Sequence, residues 1–191
     1  MSATVKPLPK FVSLQGENWV AHEYPRIYSI EHLKNGSARL CIAASQKGTE
    51  LVSQLSERLS EPFFALYILL VGRGGSKEGR YQSPQMNRSD VNNFFESYFK
   101  FFDEDARHHV WLYSTTDKAT LIYDQHNVIY AYGPIDEYQK ILDRMGYDKF
   151  ELIKFPVPHG HRYHLEFDEK EREITASENW IYSPLREGDD Y

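Results

Sequence analysis

A single cysteine, Cys41, stands among 191 residues, so no internal disulfide can form and a secreted disulfide scaffold is excluded. No long hydrophobic run is present either. The longest, Phe63 to Val71, is about half of a membrane-spanning helix. Positive charge is also short: 22 Lys plus Arg face 28 Asp plus Glu, a formal net charge of -6. Binding nucleic acid or an anionic membrane without specificity needs a basic face that displaces counterions, and this balance argues against both. The first residues, MSATVKPLPKFVSLQGEN, hold no apolar stretch of signal-peptide length. Internal repeats, low-complexity tracts and linkers are missing too, so one globular domain over 1–191 with a cytoplasmic location is expected. Hydrophobic residues at 41% and aromatics at 15% are ample for a packed core.

The periodicities predict an α+β fold: a mixed, largely antiparallel sheet with about three helices packed mainly on one face. Asn35-Gly36 supplies the positive φ angles of a tight turn and pairs 26–33 with 38–44. Val52, Leu55 and Leu59 share a helical face over 49–60, with Thr49 as cap and Pro62 as stop. The apolar run 63–71 suits a strand buried on both faces in the middle of the sheet. A polar loop, 72–86, then leads to a helix at 88–102, capped by Asn87 or Ser89. Its stripe is Val91, Phe94, Phe95, Tyr98, Phe99 and Phe102. Strands follow at 108–114, 119–124 and 127–132. The next helix begins at Pro134, has Ile135, Tyr138, Ile141, Leu142 and Met145 as its apolar stripe, and ends at Gly146. A strand at 149–155 completes the core. Residues 1–17 read as a loose arm, and 156–191 as irregular wrapping chain with one strand near Trp180-Ile181-Tyr182.

Two segments concentrate chemistry. In an extended chain residues two apart face the same side, so His159 and His161 can reach one divalent ion, with His164 and Glu166 completing the set. The spacing of His159, His161 and Glu166 resembles the metal motif of cupins over eight residues. Ile153 and Glu173 stand where that motif has glycines, and the helices do not suit an all-β jelly roll, so no family is assigned. The second segment is the loop Arg73, Gly74, Gly75, Lys77 and Arg80. Clustered amides and three cations there suit a phosphate or another small anion. Gly74 and Gly79 match the outer glycines of a Walker A loop, but Arg80 and Tyr81 replace the Lys and Ser or Thr that follow.

Other features read as structural. His108 and His109 begin a strand and point to opposite faces, one exposed and one packed. Asp124 and His126 read as turn formers before an acid–base pair, and Cys41 as a small core residue. No Gly-x-Ser-x-Gly motif exists, and no catalytic residue is assigned. Eight tyrosines (81, 113, 123, 130, 132, 147, 163 and 182) exceed what one sheet can bury, and tyrosine is favoured at interfaces. The expected role is therefore a non-catalytic protein-binding module, an inhibitor or neutraliser of a basic partner such as a toxin, with no cofactor assigned. The alternatives are a metal-dependent hydrolase or oxygenase built on the late histidines, and anion binding at the Arg73–Arg80 loop.

Overall fold

A computed structural model describes residues 7–189 apart from residue 46. The chain opens with β1 (Phe11–Gln15) and β2 (Asn18–Ala21), joined through Gly16 at φ 63. β3 (Ile27–His32) and β4 (Ala38–Ala43) form the Asn35-Gly36 hairpin, with Gly36 at φ 83 and the Asn35 side chain accepting from Ser37. α1 (Gly48–Ser56), β5 (Phe63–Leu69) and β6 (Gly79–Gln82) follow, then α2 (Arg88–Glu104). β7 (His108–Ser114), β8 (Ala119–Tyr123) and β9 (Val128–Tyr132) form a meander that leads to α3 (Ile135–Arg144). The last third holds β10 (Asp148–Lys149), β11 (His159–His161), a 3-10 turn (Leu165–Phe167), α4 (Asp168–Thr175) and β12 (Ile181–Ser183).

Nine strands form one sheet in the order β10-β3-β4-β9-β8-β7-β5-β6-β12, and three form a second in the order β11-β1-β2. The pairings are antiparallel except β10 on β3, so the sheet is mixed and largely antiparallel. Alternation along the strands divides the side chains between its two faces. One face sends Leu40, Ile42, Ala65, Tyr67, Leu112 and Leu121 into the main core. All four helices contribute to that core, through Val52 and Leu55, Phe94 and Phe102, Tyr138 and Leu142, and Ile174. Burying Phe102 fully contributes on the order of 2–3 kcal/mol before its entropy cost. The opposite face carries a second, smaller core of Phe11, Tyr24, Cys41, Ala43, Val128 and Ile153, with no helix in it. β1 and its neighbouring segments supply the cover there.

Several expectations need correction. Residues 11–15 and 18–21 are strands, and Phe11 and Val12 are buried; the arm is part of the fold because its alternation puts Phe11 into the second core. The loop 72–86 contains β6, and the strand foreseen at 149–155 is only Asp148–Lys149. Within 156–189 the strand foreseen near Trp180-Ile181-Tyr182 is β12, but the rest is not irregular chain, since β11 and α4 also lie there. β5 is seventh of nine strands, and on its second face Phe64 and Leu66 are only half-buried. Phe99 is 56% exposed, while Phe101 takes the buried place. Thr49 does not cap α1; its hydroxyl and amide both donate to Asp103. Asn87 does cap α2, in a reciprocal box with Asp90. His108 and His109 are both buried, on opposite faces.

Candidate metal centre

The β8–β9 turn is built by Asp124. Its Oδ1 accepts from the backbone N–H groups of His126 (2.9 Å) and Val128 (2.8 Å), and Asn127 closes the turn at φ 60. The same carboxylate, through Oδ2, lies 3.0 Å from Nδ1 of His126. A carboxylate only accepts, so Nδ1 is the donor here and Nε2 is the nitrogen left to face an ion. Burial pushes the Asp124 carboxyl up, but its bonds to His126 and the backbone hold it below the ordinary carboxylate value.

β11 runs antiparallel to β1, with His161 opposite Phe11 and His159 opposite Ser13. Both imidazoles therefore project on the side of Phe11, whose ring centroid lies 5.2 Å from that of His159, 5.8 Å from His161 and 5.4 Å from His126. Nδ1 of His159 is 2.8 Å from the carbonyl of Pro156. By the same reasoning it is the donor there, and Nε2 is the free acceptor. Nε2 of His161 is buried without a hydrogen-bond partner among the described residues. Burial and the neighbouring rings of His126 and His159 push His161 down to about 4, so it is neutral at pH 7.

One ring nitrogen from each of His126, His159 and His161 lies within 4.8 Å of the others. A tetrahedral three-nitrogen set around zinc spans roughly 3.4 Å between nitrogens, so an ion would draw the rings together. His159 is exposed and has room to move. The donor set fits a divalent transition metal: three imidazoles, two with Nδ1 already tied to an acceptor, as metal-ligating histidines ordinarily are.

The expected set His159, His161, His164 and Glu166 is thus brought together only in its first two members. Nε2 of His164 donates to the carbonyl of Pro9, and its backbone N–H to Asp105. Glu166 lies at the surface, 3.5 Å from Lys100. The chain turns into the 3-10 turn at Leu165, so the alternation that aligned His159 with His161 stops before reaching them. His126 takes their place from 33 residues upstream. Its signal was the Asp124-x-His126 turn, whose carboxylate is spaced to orient the ring.

The loop Arg73, Gly74, Gly75, Lys77 and Arg80 lies elsewhere. The anion its amides meet is the chain's own Glu171, which accepts from Gly74 N (2.9 Å) and Ser76 N (3.1 Å). Arg73 pairs with Asp168, Arg80 with Asp189, and the Lys77 ammonium sits 4.4 Å over the Tyr182 ring. Gly75 takes φ 91. Behind the loop, buried Arg107 binds Asp105, Asp168, Glu171 and the carbonyl of His164. Cys41 is buried, and burial pushes its thiol up to about 12, as a core residue requires. Of the eight tyrosines, 81 and 123 are buried and only 113 and 163 are exposed. No helix among the described residues is long and apolar enough to cross a membrane.

Comparison with family models, with curated proteins and with solved structures returns no match.

Proposed function

We propose that this protein binds a divalent transition metal, zinc being the best fit, through Nε2 of His126, His159 and His161. The observation that carries this is the unpartnered, buried Nε2 of His161 beside two imidazoles whose other nitrogens are already bonded. An orphaned polar atom in a buried site is costly, and an ion shared by three lone pairs removes that cost. A three-imidazole site leaves a coordination position open, which supplies Lewis acidity to a water or carbonyl placed there. The chain's own part is to hold three imidazole rings on two strand-linked segments, with Asp124 and the Pro156 carbonyl fixing two of them. Phe11 packs beside all three rings and presents an apolar wall.

Isothermal titration of the untagged, metal-stripped protein with zinc tests this, together with the visible spectrum after cobalt(II) loading. One equivalent of zinc, lost in His159→Ala and in His161→Ala, is the expected result. Less than a tenth of an equivalent, with a melting temperature indifferent to zinc and to chelator, overturns the proposal.

Partner binding without turnover is a second reading. It is supported by Phe150, Leu152 and Val157, which are 60%, 55% and 89% exposed within one stretch of eight residues. Photo-crosslinking from position 152 tests it: one reproducible basic partner supports it, and no adduct beyond background counts against it.

A further inference from the structure

The second face of the large sheet carries a cavity of about 710 Å³ roofed by residues 186–189. We propose that it is a binding site for a planar aromatic anion, whose acidic group competes with Asp189 for Arg80. The volume lies within the range of small-molecule sites. Its walls are polar and aromatic: Arg39, Arg80, His109, Trp111, Tyr130 and Tyr132. These residues alternate along β4, β6, β7 and β9 with the apolar side chains of the main core.

The two guanidinium groups are held in place before any ligand arrives. Arg39 lies 4.3 Å over the Tyr130 ring, donates through Nε to Glu31 (2.7 Å) and through Nη1 to the Tyr132 hydroxyl (2.6 Å). Arg80 lies 5.4 Å from the Trp111 ring and donates through Nη1 to Asp189. Among the described residues neither Nη2 has a hydrogen-bond partner. Two further nitrogens are buried and have no partner among the described residues: Nε1 of Trp111, and Nε2 of His109, a residue only 4% exposed.

The carboxylates around the cavity, by contrast, are committed, apart from Glu187 on the exposed roof. Glu31 is taken by Arg39, and Asp124 by the His126 ring and two backbone amides. Asp189 is taken by Arg80 and by the backbone N–H of Arg186. The free Nη2 groups of Arg39 and Arg80 and the Trp111 Nε1–H outnumber the one carboxylate of Glu187, so an acceptor-rich ligand is what the site lacks. Aromatic walls with guanidinium groups beside their rings select a flat one. Asp189, itself 4% exposed on a short C-terminal turn, shows where an acidic group sits against Arg80. It acts as a resident substitute that a ligand displaces.

The Trp111 indole N–H resonance, identified by its loss in Trp111→Phe, is the reporter. It is followed by NMR during titration with 4-hydroxybenzoate in one arm and adenosine monophosphate in the other, which separates a carboxylate from a phosphate ligand. Saturable movement with one probe at a Kd below about 1 mM, weakened at least tenfold in Arg39→Gln and Arg80→Gln, is the expected result. Asp189→Asn tests the competition in a protein that keeps both arginines, and should tighten binding about tenfold. No movement with either probe, movement indifferent to the arginine changes, or unchanged or weaker binding in Asp189→Asn would each overturn the proposal.

Discussion

Asp124 and His126 are joined twice, once through the backbone N–H at 2.9 Å and once through Nδ1 at 3.0 Å, by two different oxygens of one carboxylate. One oxygen builds the turn and the other orients the ring. Asp124→Asn separates these tasks. The amide oxygen can still accept from the His126 and Val128 amides, but the amide nitrogen cannot accept from Nδ1–H. Zinc affinity is therefore expected to fall about 10–100-fold, with the urea midpoint nearly unchanged. Titration calorimetry beside urea unfolding checks both halves.

Arg107, wholly buried, binds Asp105 through Nε and Nη2, Glu171 at 2.7 Å and Asp168 at 3.0 Å through Nη1. Arg107→Met leaves Asp105 and Glu171 buried without their counter-charge. A loss of about 3–5 kcal/mol is expected, read by urea unfolding. Arg107→Lys keeps the charge but not the planar fork, and is expected to recover only part of it. Limited proteolysis should show α4 released first, because α4 reaches this cluster through Asp168 and Glu171.

That dependence on charge also explains why α4 was not legible in the sequence. Asp168-Glu169-Lys170-Glu171-Arg172-Glu173-Ile174-Thr175 offers one large apolar residue, Ile174, so no hydrophobic period announces a helix. What fixes it is Glu171 meeting Arg107, 64 residues away. The hairpin at Asn35-Gly36, the stripes of α2 and α3 and the meander 108–132 were legible because period and turn chemistry are local. β1 was obscured by its flanking prolines and glycine, although Phe11 and Ser13 share a face as strand alternation requires. At the candidate centre His159 and His161 were readable from that same alternation. His126 was readable only as a turn residue beside Asp124, because only the packing of the small sheet on the large one brings the two segments together.

His108 lies among Tyr67, Phe101 and Phe102, with ring centroids 5.2, 4.5 and 5.2 Å away and neither ring nitrogen bonded among the described residues. Burial, aided by Lys10 and Arg107, pushes it well below the ordinary histidine value. The unfolded chain therefore takes up this proton first, and the His108 contribution to stability falls as pH drops below about 6.5. His109 and His161, both pushed down to about 4, act in the same direction between 6.5 and 4. Asp103, which burial pushes up to about 6, opposes them, since its folded form takes a proton before the unfolded one does. His108→Leu removes two unpartnered polar atoms at similar size. It is expected to gain about 1–2 kcal/mol at pH 7, with a larger advantage at pH 5. Urea midpoints at the two pH values decide it, and a variant that gains nothing at either would show that the ring is satisfied in solution.

Gly74 and Gly75 are adjacent but serve different ends. A Cβ on Gly74 would stand 2.8 Å from both the Asp168 carbonyl oxygen and Glu171 Oε1. The Glu171 carboxylate would have to retreat from the amides of Gly74 and Ser76, weakening two bonds to a charged acceptor. Gly75 has open space but a φ of 91, so Gly75→Ala carries backbone strain alone, about 1–2 kcal/mol. Gly74→Ala is expected to cost about 2–4 kcal/mol, because hydrogen bonds to charged groups count about 1.5–3 kcal/mol each and are only partly lost here. The same geometry governs the loop's response to anions. With Glu171 against the amides, inorganic phosphate should leave the wild-type melting temperature unchanged beyond the effect of equal ionic strength. A phosphate-specific rise in the wild type would mean that the carboxylate yields its place readily, and the large penalty for Gly74→Ala should then be absent too.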